Sequence, residues 1–501
     1  MNQPPDAGSA VLDRDRGDAP AMAHRPAPRA RIGVFGIGLD TYWPQFEGLR
    51  DRIAGYQARV EERVGELGAE VVSGGLVDSA QAAREAGDRF AAAQVDLVLC
   101  HAVTYATSST VLPVLQAAGV PVVLLGLQPT ASIDYPNTST GEWLANCAAC
   151  CVPEIAGACT RAGIPYDTVA GLIDDDDRAW GRIAAWVRAA AVARDLRRSR
   201  IGFLGHVYPG MLDMYTDFTA VHAQTGAHVE VLEIDDLGAR VAQATDAEVA
   251  AKLAEIRTMF AFADPTSDPI AGPIDDQQLD WSARVAVGLD RLVADFALDS
   301  LTYYYRGVDG NEAERLGAGV IVGNSLLTAR GIITSGEADL KTNIAQVILD
   351  RLGAGGSFTE WYAMDLAEQF TLMGHDGPGH VGIAQGQPTL RNLKLYHGKS
   401  GSGLSVEFKV RYGPVTIVGC TQTADGRLKL IAAEGESVPG DTMRIGNTNS
   451  RLVFGLGPAE LLERWCAEGP THHVALGVGH HLDEVRRVAS LLGLAFTAVE
   501  G

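Results

Sequence analysis

The chain has 501 residues, 62 of them acidic against 41 basic, a formal net charge of −21 and 47% apolar residues. The length suggests about three domains, and the acidic balance excludes nucleic acid or an anionic membrane surface as the main partner, because both demand positive charge. No apolar run spans a bilayer and no apolar signal core opens the chain, so a cytoplasmic protein acting on small molecules is expected, with no membrane partner.

Residues 1–30 mix Pro, Ala, Asp, Gly and Arg without periodicity and are expected to form a disordered tail. Residues 31–198 read as an N-terminal αβ domain. Arg31–Ile37 is a short β-type run, and Glu47–Leu67 carries Leu49, Ile53, Tyr56, Val60 and Val64 at helical spacing. Val95–Val103 and Pro121–Leu127 are short continuous apolar runs, as parallel strands buried on both faces require. Strands alternating with helices give a doubly wound sheet, whose ligands bind beyond the carboxyl ends of its strands. Asp40, Tyr42 and Gln128 occupy such ends. Gly36-Ile37-Gly38 is only a fragment of a dinucleotide fingerprint and no phosphate-binding loop is present, so no nucleotide cofactor is expected.

Four of the seven cysteines, Cys147, Cys150, Cys151 and Cys159, lie close together. A soft-metal or iron–sulfur site draws ligands from two segments, and no second cysteine pair exists, so these are read as small buried residues on a helix in Trp143–Ala158. Asp174–Asp177 reads as a solvated helix start.

The basic connector Arg194–Arg200 marks a boundary, and residues 199–352 read as a central αβ domain. His206–Met214 is a Pro-Gly loop containing Met211, Asp246–Phe262 a helix, and Leu298–Tyr305 a strand ending in three tyrosines. Beyond 353 the pattern changes to short strand-like runs, Leu390–Leu395, Leu404–Val410, Val415–Thr421, Leu428–Ala433 and Leu452–Phe454, separated by Gly, Asp and Pro. That spacing implies a β-rich, antiparallel barrel-like C-terminal domain over 353–501. A helix near Leu482–Leu492 and a strand at Ala495–Val499 end the chain.

The chemistry concentrates in Ser335–His380. Glu337 precedes the helix Leu340–Leu352, whose Leu340, Ile344, Val347 and Ile348 define a buried face; a carboxylate there would be favoured by the helix N-terminus. Glu360 follows a glycine-rich turn. His375 and His380 lie in a Gly/Pro-rich stretch read as a loop. Far downstream stand His472, His473, His480 and His481. Mixed carboxylate and imidazole donors suit Mn²⁺, with Mg²⁺ or Co²⁺ as alternatives.

Gly336-Glu337-Ala338-Asp339-Leu340-Lys341-Thr342 resembles the Gly-Glu-Gly-Asp-Trp-Lys-Thr segment of the L-arabinose isomerases. Ser357–Tyr362 resembles their Ser-Phe-Met-Glu-Asp-Tyr segment. Leu372–His375 and Thr471–His473 resemble their later histidine motifs. The resemblance implies an aldose–ketose isomerase acting on a pentose or deoxyhexose through an enediol. It also implies Glu337, Glu360, His375 and His473 as Mn²⁺ ligands, with the two glutamates as the acid/base pair. His380 stands as an alternative to His375, and His472 to His473. Asp40, Tyr42, Gln128, Met211 and Tyr305 are the expected substrate contacts. A homo-oligomer, tetramer or hexamer, is implied as well. The sequence departs from the family where a Gln-His-Leu-Tyr-Gly segment would follow the first strand, since Leu39-Asp40-Thr41-Tyr42-Trp43 stands there. A non-catalytic sugar-binding protein and a metal-dependent epimerase or lyase remain as alternatives.

Overall fold

The computed structural model describes residues 26–306, 310–393 and 403–501. Most of the expected N-terminal tail therefore lies outside the described residues. At its end, Ala30 is already buried and its carbonyl accepts a hydrogen bond from the Glu70 amide.

The first sheet is five-stranded and parallel, with β1 (Arg31–Ile37), β2 (Glu70–Val77), β3 (Leu97–His101), β4 (Val122–Gln128) and β5 (Tyr166–Leu172) in the order 2-1-3-4-5. β3 is buried at every position, as its unbroken apolar run requires. Helix Leu49–Glu66 lies within two residues of its expected limits, and helix Ala80–Ala93 follows β2. The Asp174–Asp177 run starts a helix, with Asp176 capping Asp177–Leu196 through the Ala179 amide.

The cysteine region departs from the expected single helix. Thr140–Ala145 and Val152–Ala162 are separate helices, and Cys147, Cys150 and Cys151 occupy the turn between them. Cys147 and Cys151 are buried and Cys150 is exposed.

The second sheet joins β6 (Arg200–Gly205) and β7 (His228–Leu232) to β10 (Ser300–Tyr304) and β11 (Ile333–Ser335), in the order 11-10-6-7. Between them, the expected helix Asp246–Phe262 stops at Met259. Two short strands follow, β8 (Ala261–Phe262) and β9 (Ala271–Gly272).

The C-terminal part is a six-stranded antiparallel barrel. β12 (Gly355–Asp365), β13 (Phe370–His375), β16 (Gly413–Gln422), β17 (Leu428–Val438), β18 (Thr448–Phe454) and β19 (His473–Val478) run in the order 16-19-12-13-18-17. Pairing of β16 with β17 closes it, and β20 (Ala495–Ala498) adds in parallel to β17. β14 (Thr389–Leu393) and β15 (Leu404–Glu407) stand outside the barrel; with β8 and β9 they form a small side sheet. Residues 394 and 395 of the expected run Leu390–Leu395 lie outside the described residues.

The helix Leu340–Arg351 joins these parts. The sequence assigns it one buried face, yet every residue in it is buried. Its polar side chains are tolerated because each finds a partner. Asn343 donates to the Leu301 carbonyl at 3.1 Å, and Gln346 to that of Gly356 at 2.9 Å. Arg351 pairs with Asp195 at 2.6 Å and with Asp350. The helix thereby ties the barrel to the second sheet and to the helix Asp177–Leu196. No helix among the described residues is long and apolar enough to cross a membrane.

Candidate active site

Glu337, Glu360, His375 and His473 come together where the barrel meets the start of the helix Leu340–Arg351. Ligand atoms of Glu360, His375 and His473 all lie within 4.8 Å of one another, and so do those of Glu337, His472 and His473. His473 belongs to both groups.

Strand register accounts for part of this. Glu360, in the middle of β12, sits directly opposite His473 on β19. Side chains opposite one another in an antiparallel pair share a face. On the other side Glu360 faces Gly374, next to His375, which closes β13. Two expectations are corrected here. Glu360 lies well inside a long strand, and His375 ends a strand instead of sitting in a loop. The loop begins only at Asp376.

The expected role of Glu337 at a helix N-terminus also needs correction. Asp339 is the cap of Leu340–Arg351, accepting from the Thr342 amide at 3.0 Å and from its hydroxyl at 2.8 Å. Glu337 stands two residues earlier, in left-handed backbone with φ 59°, followed by Ala338 with φ 57°. Such geometry disfavours any residue with a Cβ. It is held by hydrogen bonds from the Ala338 amide to the Tyr303 carbonyl, 2.9 Å, and from the Tyr208 amide to the Glu337 carbonyl, 3.1 Å. Gly336 lets this turn press close, since a Cβ there would stand 3.3 Å from the Phe358 ring.

His473 is the pivot. Its Nδ1–H donates to Asp339 at 3.1 Å, and both side chains are almost wholly buried. Its Nε2 lies 3.6 Å from Glu337 Oε2, and neither of these buried atoms has a hydrogen-bond partner among the described residues. An imidazole lone pair and a carboxylate oxygen repel at that distance unless a proton or a cation lies between them. Burial works to lower the His473 pKa, but the Asp339 hydrogen bond and the charges of Asp339, Glu337 and Glu360 outweigh it and hold the value above 6.5. Burial likewise works to raise Asp339, while His473 and Lys341 hold it below the usual carboxylate value. Phe358 packs against both rings, 4.5 Å from His375 and 4.2 Å from His473 between centroids. The pair of unsatisfied donor atoms and the carboxylate–imidazole set fit a hard or borderline divalent cation.

The alternative histidines separate. His380 is fully buried away from the cluster, its Nε2 3.5 Å from Asp350. His472 remains close, its ring centroid 3.8 Å from that of His473. Its Nδ1–H and its amide both donate to Asp213, at 2.6 and 2.9 Å. His480 and His481 are in neither group.

A cavity of about 450 Å³ opens onto Glu337 and His375. Its wall includes Tyr208, Tyr303, Tyr304, Tyr305 and Arg306. Of the expected substrate contacts, Tyr305 lines it. Met211 caps the short turn Leu212–Met214, which carries Asp213. Asp40, Tyr42 and Gln128 remain at the carboxyl edge of the first sheet and are not part of this wall. Burial, with the neighbouring Tyr208 and Glu337, pushes Tyr304 up to about 12, so its phenol stays neutral. The sequence reading missed Asp339, Asp213, Tyr208 and Arg306 as site residues. Only Asp339 carried a signal, lying inside a quoted motif two residues after Glu337.

Residues 355–495 match the family model for the L-arabinose isomerase C-terminal domain. The L-arabinose isomerase of Acidothermus cellulolyticus is 25% identical over 69% of this chain and 69% of its own length. That of Clavibacter sepedonicus is 25% identical over 63% and 62%. The C-terminal part of the chain thus carries the L-arabinose isomerase C-terminal domain, and about two thirds of the chain is similar to L-arabinose isomerases. The sulfoquinovose isomerase of Alkalicoccus urumqiensis is also similar, 24% identical over 67% of this chain and 72% of its own. The matches thus span roughly two thirds of the relatives' lengths. Family relatives are named as sugar isomerases with more than one sugar.

Proposed function

We propose that the chain is a metal-dependent aldose–ketose isomerase that acts on a pentose or deoxyhexose through an enediol. The observation that carries this reading is the contact between His473 Nε2 and Glu337 Oε2 at the wall of the cavity, with Glu360 and His375 alongside. Glu337, Glu360, His375 and His473 would hold the ion, with Mn²⁺ favoured and Mg²⁺ or Co²⁺ alternatives. When bound, it would supply positive charge for two adjacent sugar oxygens as negative charge develops there.

The chain's own groups do the proton work. One of the two glutamates takes a carbon-bound proton and returns it to the neighbouring carbon. The other moves a proton between the two oxygens. Asp339 keeps the His473 proton on Nδ1, so that Nε2 faces the site. Phe358 covers both imidazoles and keeps water from them. Neutral Tyr304 can hydrogen-bond a sugar hydroxyl without adding charge.

The test is to load metal-free protein with Mn²⁺ and incubate it with aldopentoses and 6-deoxyhexoses in D₂O. Ketose is expected, with deuterium at C1 to the extent that the glutamate exchanges its proton with solvent before returning it. Deuterium at C2 without ketose would replace isomerisation with epimerisation, and binding with neither exchange nor ketose would make the protein a sugar-binding one. The family resemblance also supports a cytoplasmic homo-oligomer, a tetramer or hexamer, which light scattering on the purified chain would check.

A further inference from the structure

We propose that the mouth of the cavity, at Arg306, receives the anionic end group of the sugar: a sulfonate, phosphate or carboxylate on the carbon farthest from the reacting C1–C2 end. This rests on the isomerase reading and names a substrate class within it.

The end of β10 and the two residues that follow it bring Tyr303, Tyr304, Tyr305 and Arg306 in succession to the cavity wall. Arg306 is the cation in that wall, it is exposed, and it has no ion-pair partner among the described residues. A neutral pentose offers such a residue hydroxyl acceptors but no opposite charge. The wall also holds carboxylates, so the local field has to be weighed. Glu337 belongs to the proposed acid/base pair. Glu314 is buried, and its carboxylate accepts from the Gly310 amide. Asp376 follows His375 and has a contact of its own. Arg306 is therefore left as the place where an anion meets a complementary charge, with a planar fork of donors matched to an oxyanion.

Glu337, Tyr304 and Arg306 all line this one cavity of about 450 Å³. A hexose reacting at Glu337 can then extend past Tyr304 with its far end at Arg306. An acidic protein of net charge −21 repels anions at long range. A local cation inside the cavity is what would reverse that preference for this one class of sugar.

The experiment is equilibrium titration of the Mn²⁺-loaded full chain with 6-deoxy-6-sulfoglucose, glucose 6-phosphate and glucuronate, against glucose and L-arabinose. At least one anionic sugar is expected to bind about tenfold or more tighter than glucose, the scale of a charged hydrogen bond. That advantage should shrink as NaCl is raised. Arg306→Gln should bring the ratio close to one, while Arg306→Lys keeps part of it. The anion that binds best identifies the end group. Equal affinities, or an advantage that Arg306→Gln leaves intact, overturns the proposal. Should Arg306→Gln fail to fold, the salt titration of the unaltered chain and Arg306→Lys still decide. Turnover of neutral sugars without anionic preference would remove this inference and leave the isomerase reading. Tight anionic binding without ketose would do the reverse.

Discussion

Asp339 caps the helix Leu340–Arg351 and, with the same carboxylate, accepts the Nδ1 proton of His473 at 3.1 Å. One side chain thus fixes both a helix start and the ring that belongs to both donor groups. Asp339→Asn keeps a capping oxygen but removes the charge. We expect Mn²⁺ affinity to fall about 10- to 100-fold with little loss of fold stability. Calorimetric titration of metal into the variant checks this, and an affinity within twofold of the parent would contradict the role given to Asp339.

Glu337→Gln and Glu360→Gln each preserve shape and remove a proton acceptor. Each should lower turnover by about 100-fold or more even at saturating Mn²⁺. A polyol analogue should still bind in the metal-loaded variants. Loss of polyol binding in step with turnover at saturating Mn²⁺ would mean that the drop reflects lost sugar or ion binding, and would contradict a separate proton-transfer role for that residue.

Ala338 occupies left-handed backbone, with φ 57°, where the family segment has glycine. Ala338→Gly relieves a penalty of about 1 kcal/mol but forfeits a buried methyl, so stability should stay within about 1 kcal/mol of the parent. Ala338→Val places a β-branched side chain in that region and should cost about 2 kcal/mol or more. Urea unfolding of the two variants measures the difference. Equal stabilities would show that the turn relaxes to another conformation.

His101 is fully buried at the end of β3, with Nδ1 3.0 Å from Gln57 Oε1. Burial lowers its pKa to about 4. The folded value lies below the unfolded value of about 6.5, so between those limits the unfolded chain binds a proton that the folded chain refuses. Stability should fall as pH drops from about 6.5 to 4, by about 3 kcal/mol in total from this group. Chemical unfolding across that range, compared with His101→Gln, isolates the contribution. A variant with the same pH slope as the parent would exclude it.

The parts of the fold legible in the sequence were those set by local pattern. β3 and β4 announce themselves as unbroken apolar runs, and Leu49–Glu66 by its helical spacing. β12 and β13 were not recognised, because Gly355, Gly356 and Gly374 and the polar residues near the site interrupt alternation. Closure of the barrel depends on register between β16 and β17 and between β12 and β19, which no local window contains. The grouping of Glu337, Glu360, His375 and His473 followed from motif order. Their supports did not: Asp213 lies 259 positions from His472, and Arg306 carries no motif at all.

The stretch recognised as the family's C-terminal domain, residues 355–495, carries Glu360, His375 and His473 but not Glu337 or Asp339. Recombination that transplanted only this stretch onto another scaffold would inherit three of the four proposed donors and lose both Glu337, the carboxylate 3.6 Å from His473 Nε2, and Asp339, the one that orients its ring. The reaction would not travel with the barrel. The proposed site belongs to the junction, and a duplication or fusion that keeps its four donors has to carry the turn Gly336–Asp339 and the strands of the barrel as one unit.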